Sequence, residues 1–152
     1  MKPRVLYRTL AIAEAITWTL LIGGMLLKYV AQVGDWPVLV AGSIHGLVFI
    51  SYAVASVLVG VNQRWRIPVI VVAVASAIVP YATIPFDLWA DRTGRLDGGW
   101  RTTPTDDPRD HTAIGRLFRW MLNHVPVLAV TLVALIAAIM ATLLMIGPPR
   151  LS

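Results

Sequence analysis

Four long apolar segments constrain what this chain can fold into. They cover about residues 5–27, 37–60, 67–89 and 125–147. Each is about 20 residues or longer, which is the length an α-helix needs to cross a hydrocarbon core of about 30 Å. Only helices and closed barrels satisfy their backbone polar groups in lipid, and these segments lack the alternation of barrel strands. The sequence therefore predicts an all-α integral membrane protein with four transmembrane helices in an antiparallel bundle.

The composition agrees with lipid as the solvent. Of the 152 residues, 57% are hydrophobic and 14% are charged, whereas a soluble domain is about half apolar and about a quarter charged. The chain has no cysteine, which excludes disulfides and thiolate chemistry. Its net charge of +5 comes mostly from arginine, a preference that suggests a GC-rich bacterial genome. In a membrane protein this charge reflects topology and anionic lipid, so we expect the bilayer as a partner and no nucleic acid.

The long connection after the third segment divides into two parts. Residues 90–110 predict a polar loop, and residues 111–124 predict an amphipathic helix at the membrane surface, with Asp110 as its N-cap. An apolar stripe at helical spacing comprises Ile114, Leu117, Phe118, Met121 and Leu122. This helix would anchor the bundle in the headgroup region, or it would dock another subunit. We interpret residues 1–152 as a single membrane domain.

Basic residues near the segment ends favour a cytoplasmic N-terminus. With four crossings both termini would be cytoplasmic, in a bacterial plasma membrane. The cytoplasmic flanks would then carry Lys2, Arg4, Arg8, Arg64, Arg66 and Arg150. Only Lys28 would lie in the first outer connection, but the arginines of the long connection weaken the contrast.

Two ionisable residues, Glu14 and His45, lie near the middle of the first two segments. In an antiparallel pair of helices their depths differ by about 5 Å, so we expect them to meet as an intramembrane polar pair. Gly42 and Gly46 flank His45 at the four-residue spacing that lets helices pack closely. The pair would fix the register of the helices, or it would carry protons or bind a ligand. Two such groups are too few for a metal site, and we expect no metal or other cofactor.

The third segment ends in a proline-containing stretch. Pro80 and Pro85 are expected to kink the helix or end it early. Asp87 would then lie near the interface and pair with Arg92 or with a backbone amide. Alternatively, Asp87 would line the mouth of a cavity together with Tyr81 and Thr83, which here would border a broken helix.

Three stretches together resemble a family of small bacterial membrane proteins that is defined as a domain of unknown function, DUF3817. They are AIAEAITWTLLIGGMLLKY, AGSIHGLVFISYAV and PYATIPFDLWADR. The matching positions are Glu14-Ala15, Gly42 to Gly46 with Phe49 and Tyr52, and Phe86-Asp87. The family usually has glycine after the acidic residue, and this chain has Ala15. The resemblance covers about residues 5–92 and implies a membrane fold without an established activity.

The sequence shows no catalytic motif, and its two inward ionisable residues are too few to suggest a reaction, so we expect no enzyme. A compact apolar body of this size suits a non-catalytic accessory subunit of a larger bacterial plasma-membrane complex, for which respiratory complexes are one class of host. Its partners would be other membrane subunits or copies of itself. The alternative is a small membrane protein for proton-linked transport or for lipid or ligand binding, acting through Glu14 and His45.

Overall fold

The computed structural model describes residues 1–146, apart from the side chains at positions 108, 109, 114, 144 and 146. Residue 147 of the predicted fourth segment, Arg150 and the side chain of Ile114 therefore lie outside the described residues. Every regular element within residues 1–146 is helical, which confirms the all-α prediction. The chain divides into two compact units, one ending at Gly98 and one beginning at Gly99.

The first unit is built on a pair of long helices, α1 (Pro3–Tyr29) and α2 (Trp36–Asn62). Each has 27 residues, about 40 Å of helix, and each is apolar and long enough to cross a membrane. The two helices run antiparallel, because Tyr7 near the start of α1 meets Tyr52 towards the end of α2. At the other end of the pair, Gly24 of α1 approaches Pro37 of α2.

The predicted third segment forms two short helices. Helix α3 (Ile67–Ser76) and helix α4 (Thr83–Arg92) have 10 residues each, about 15 Å of helix apiece. Residues 77–82 between them form turns. Pro80 lies in this break, and Tyr81 within it has a φ of +64°, in the left-handed region that a continuing helix does not use.

The two short helices form a hairpin, which we call the α3–α4 hairpin, with residues 77–82 as its apex. Its two ends lie together, because the indole nitrogen of Trp65 donates to the backbone oxygen of Arg95 at 2.9 Å. A straight helix over residues 67–92 would separate its ends by about 40 Å. The apex reaches the middle of α1, where Trp18 donates to the backbone oxygen of Ala77 at 3.1 Å. Residues 67–92 therefore form two helices, and the expectation of one continuous helix over residues 67–89 is wrong.

Aromatic rings fill the space between the hairpin and the α1–α2 pair. The ring of Trp65 packs edge-on against Tyr7 and Phe86, with centroids 5.7 and 6.1 Å apart. Tyr7 and Tyr52 share a hydrogen bond of 2.6 Å between their hydroxyls. Thr83, at the start of α4, donates to the backbone oxygen of Ala11 at 2.9 Å. These contacts hold the base and the middle of the hairpin against α1.

The second unit contains a short 3₁₀ helix (Pro108–His111), helix α5 (Ala113–Asn123) and helix α6 (Val125–Ile146). Helix α6 is the third helix long and apolar enough to cross a membrane. The N-cap of α5 is Thr112, whose hydroxyl accepts from the backbone nitrogen of Gly115 at 3.1 Å, and not Asp110 as expected. Asp110 instead accepts from the backbone nitrogen and hydroxyl of Thr105 and lies 3.4 Å from the Arg119 guanidinium.

Candidate functional site

A buried polar cluster lies between α1 and α2, halfway along the pair. It consists of Glu14, Thr17 and His45, which we call the Glu14–His45 cluster. The side chain of Glu14 is fully buried, and His45 is 8% exposed. The nearest carboxylate oxygen of Glu14, Oε2, lies 3.8 Å from His45 Nδ1. The structure thus brings together the two residues that sequence analysis paired, although a third side chain mediates their contact.

Thr17 is that third side chain. Its hydroxyl lies 3.0 Å from His45 Nδ1 and 3.0 Å from the backbone oxygen of Glu14. A hydroxyl carries one proton and two lone pairs, so Thr17 can donate to the backbone and accept from His45 at the same time. Sequence analysis did not identify Thr17. Its position three residues after Glu14, on the same helix face, is the signal that could have revealed it.

One oxygen of the cluster has no partner. Oε1 of Glu14 is buried and makes no hydrogen bond to any of the described residues. Buried polar atoms are nearly always hydrogen-bonded, so this oxygen is where the cluster could take up a proton or another donor.

Trp18 connects the cluster to the apex of the hairpin. Its ring packs at 4.5 Å, centroid to centroid, against the ring of His45, and its indole nitrogen donates to Ala77. Irregular backbone is tolerated at membrane depth only where protein groups satisfy it. Trp18 provides such a group and places the break of the hairpin beside the Glu14–His45 cluster.

A second polar cluster, at the base of the hairpin, joins α4 to the start of α1. Arg8 donates to Asp87 at 2.9 Å and to Asp91 at 2.8 Å, and Arg4 donates to Asp91 at 2.6 Å. We call these four residues the arginine clamp. Hydrogen bonding by Arg8 lowers the pKa of the Asp91 carboxyl below its ordinary value, and the charge of Arg4 adds to the effect.

The partner of Asp87 is therefore Arg8 and not Arg92, which lies exposed one residue after Asp91. The other carboxylate oxygen of Asp87 is buried and has no hydrogen-bond partner among the described residues. Sequence analysis missed the clamp because its members lie about 80 residues apart. The four-residue spacings of Arg4 and Arg8, and of Asp87 and Asp91, were the available signal.

A tight contact between α1 and α2 lies away from the glycines next to His45. A Cβ atom at Gly42 would lie 3.8 Å from its nearest neighbour, a methyl group of Leu21, so Gly42 does not occupy a tight contact. Gly46, its proposed companion, is half-buried. A Cβ at Gly24 would lie 2.9 Å from the backbone oxygen of Pro37. Gly24 of α1 is therefore a position where the absence of a side chain lets α1 and α2 approach closely.

Comparison with known proteins identifies the family. The model of the family described as "Domain of unknown function (DUF3817)" matches residues 5–92, which is more than half of the chain. The chain belongs to the DUF3817 family. This confirms the resemblance carried by the three sequence stretches, and the matched region contains the Glu14–His45 cluster, the whole hairpin and three of the four clamp residues, Arg8, Asp87 and Asp91.

A relative in Streptomyces coelicolor, the "Putative membrane protein SCO5905", is 40% identical over 106 residues. The match covers 69% of this chain but only 12% of that relative, so the chain spans about an eighth of its length. No solved structure matches this chain. The DUF3817 family membership and this relative support a membrane protein, in agreement with the long apolar helices.

Proposed function

We propose that this DUF3817 protein is a non-catalytic accessory subunit of a larger assembly in the bacterial plasma membrane. The observation that carries the proposal is the length of the Streptomyces relative. There, the segment similar to this chain is 12% of a single longer polypeptide. A segment that is part of a larger membrane protein in one bacterium is expected to lie against such a protein in its relatives as well.

The test is purification of the tagged protein from its native membrane in a mild detergent, followed by native mass spectrometry. We expect a complex in which this chain and a larger membrane protein occur in a fixed ratio. The control is the same tagged chain expressed in a bacterium that lacks the family, where no fixed-ratio partner should appear. Purification of the native chain only as a monomer, or only with copies of itself, would contradict the accessory role.

The proposed topology has three crossings and one re-entrant hairpin. Helices α1, α2 and α6 cross, and the α3–α4 hairpin enters and leaves on the side that carries the N-terminus. The connection after the hairpin then lies on that same side. The expected position of both termini in the cytoplasm depended on four crossings, and with three the end of α6 lies on the opposite side.

The distribution of arginine supports this topology. The N-terminal flank, the turn between α2 and α3 and the long connection now share one side, and cytoplasmic segments carry the excess of Lys and Arg. The basic residues on that side are Lys2, Arg4, Arg8, Arg64, Arg66, Arg92, Arg95, Arg101, Arg109, Arg116 and Arg119. Lys28, at the opposite end of α1, is the first basic residue on the other side. With three crossings the basic residues are therefore concentrated on one side of the membrane, whereas with four crossings they were divided between the two sides.

A second candidate function is proton-linked transport through the Glu14–His45 cluster. The unpartnered Oε1 of Glu14 favours it, because this oxygen lies beside the break in a re-entrant hairpin, and broken helices border the sites of many transporters. His45→Gln retains hydrogen bonding but cannot titrate near neutral pH. In proteoliposomes loaded with a pH-sensitive dye, we expect proton flux from the unaltered protein and a loss of flux in His45→Gln.

Gly42→Ala is the matched control for that experiment, because Gly42 lies on the same helix near His45 and its site has room for a methyl group. It should retain the flux. Equal flux through empty liposomes and liposomes with the protein, or an unchanged flux in His45→Gln, would exclude this second candidate.

A further inference from the structure

The base of the α3–α4 hairpin contains a pocket with a basic wall. The pocket has a volume of about 720 Å³ and lies where the turn after α2 meets the segment after α4. Three arginines line it, Arg64, Arg66 and Arg95. Asp97 lies close to Gly94 on the rim, so the three guanidinium groups leave the pocket with net positive charge.

Gln63 also lines this pocket. Its side-chain nitrogen is fully buried and is not exposed to a ligand there. The three guanidinium groups favour a ligand rich in acceptor oxygens, and a phosphate group has this chemistry.

An apolar groove of about 510 Å³ lies between the two arms of the same hairpin. Apart from one serine, its lining side chains carry no hydroxyl, amide or charge. The residues that line it are Val72, Ala75, Ser76, Ala82, Phe86 and Trp89. Its lining runs from Ala82 to Trp89, about 10 Å along the helix axis, which is enough for part of one acyl chain within a single leaflet.

The ring of Trp89 belongs to the groove and contacts an arginine of the pocket. Trp89 lines the groove, and the guanidinium of Arg95, which lines the pocket, lies 4.3 Å from the centre of its ring. On α3, Val69 of the pocket is followed three residues later by Val72 of the groove, so both lie on one helix face. The basic pocket and the apolar groove are therefore neighbours, and the contact between Arg95 and Trp89 lies between them.

We infer that this hairpin is a binding site for an anionic phospholipid. The phosphate of the lipid lies against Arg66 and Arg95, and one acyl chain lies in the groove between α3 and α4. The proposed topology places the site in the cytoplasmic leaflet, where anionic lipid and basic residues attract each other. This role is independent of an accessory or transport function, because it involves neither a protein partner nor the Glu14–His45 cluster.

The experiment measures retention of lipid by the purified full chain. The protein in dodecylmaltoside micelles is titrated with dioleoylphosphatidylglycerol or dioleoylphosphatidylcholine, and bound lipid is counted by native mass spectrometry. We expect tighter binding of the glycerol lipid, and a loss of roughly 20-fold in its affinity in the double variant Arg66→Gln/Arg95→Gln. Binding of the choline lipid, whose headgroup has no net charge, should change much less.

Arg92→Gln is the matched control, because Arg92 lies exposed close to this base and does not line the pocket. It should bind phosphatidylglycerol within about twofold of the unaltered chain, as expected for a charge outside the contact. An equal loss in Arg92→Gln and in the double variant would indicate general surface charge and overturn the site.

A variant of the groove tests the acyl chain. Ala75 is exposed and lines the groove, so Ala75→Phe should obstruct it and weaken binding of phosphatidylglycerol by about tenfold without disturbing the core. Inorganic phosphate is titrated separately and should not displace the lipid. If inorganic phosphate displaces it, and Ala75→Phe binds the lipid as the unaltered chain does, then the pocket takes a free phosphate and the phospholipid site is overturned.

Discussion

The α1–α2 pair and the α3–α4 hairpin bury polar groups in different ways. In the pair, long helices satisfy their own backbones, and buried polar side chains meet at the Glu14–His45 cluster halfway along and at the hydroxyls of Tyr7 and Tyr52. In the hairpin the helical backbone is interrupted at residues 77–82, and side chains of α1 donate hydrogen bonds to its apex and its base. Trp18 binds the apex, and Arg8 holds the base. The hairpin therefore depends on α1 at both of its ends.

The difference bears on the proposed topology, in which the two short helices enter the membrane without crossing it. A break in the backbone is costly in lipid unless its polar groups are satisfied. At the apex of the hairpin, the backbone oxygen of Ala77 accepts from the indole of Trp18. In the proposed topology this apolar run enters and returns on one side, although its length would allow a crossing.

The first prediction tests whether the chain enters and leaves the membrane on the same side at the α3–α4 hairpin. The chain has no cysteine, so single cysteines can be labelled without background. We expect a membrane-impermeant maleimide to label Arg66→Cys and Thr103→Cys from the cytoplasmic side and Ala31→Cys from the other side. These three positions are exposed, and the labelling is all or none. Labelling of Thr103→Cys from the same side as Ala31→Cys would show that the third segment crosses.

Much of the α1–α2 pair could be predicted from the sequence, because length and hydropathy suffice for a helix that crosses. The depth of Glu14 and His45 followed from residue spacing along two antiparallel helices. The rotation of each helix about its axis did not follow from this spacing, so the contacts of Thr17 and Trp18 with His45 were not predicted. The tight position at Gly24 was missed as well, because the four-residue spacing of Gly42 and Gly46 does not show which face meets a neighbour.

The hairpin could not be predicted, because hydropathy shows how long an apolar segment is but not whether the chain reverses within it. Pro80 indicated a break, but a kinked crossing helix has the same sequence signal. What reverses the chain is a turn that contains Tyr81 in the left-handed region. The hairpin is held by Trp18 at its apex and by Arg8 at its base. Both side chains come from a helix about 70 residues earlier, so these contacts are not visible in the local sequence.

The second prediction concerns the base of the hairpin. Arg8→Leu removes the cation that pairs with Asp87, a residue that is 4% exposed. Leaving a buried carboxylate without its partner costs about 3 kcal/mol or more, and we expect the free energy of unfolding in detergent to fall by about that amount. The measurement is a denaturant titration followed by tryptophan fluorescence.

Arg4→Gln is the control for the clamp, because Arg4 is 46% exposed and Asp91 keeps its bond to Arg8. We expect it to cost less than about 1 kcal/mol. Asp87→Asn in the Arg8→Leu background should restore part of the lost stability. Equal losses in the two arginine variants would show that Asp87 does not need Arg8.

The third prediction concerns the pair. Gly24→Ala places a methyl group 2.9 Å from the backbone oxygen of Pro37, which cannot move without shifting α2. We expect a loss of about 1–3 kcal/mol. Gly42→Ala adds the same group where the nearest atom is 3.8 Å away and should change stability by less than about 0.5 kcal/mol. A larger effect at Gly42 than at Gly24 would contradict the described packing of α1 and α2.

The smallest expected effect is the pH dependence of the clamp. Because the arginines lower the pKa of Asp91 in the folded protein, the unfolded chain binds more protons near the ordinary carboxyl pKa of about 4. The contribution of Asp91 is therefore complete above about pH 4 and is lost as the pH falls through its lower, folded pKa. The melting temperature of the unaltered protein should fall more steeply on acidification than that of Asp91→Asn, and the two should converge at the lowest pH. Asp106→Asn, at an exposed loop position, should keep the steeper slope. Parallel curves for the unaltered protein and Asp91→Asn would show that the base of the hairpin does not depend on this ion pair, which would leave Asp87 and Arg8 to hold it.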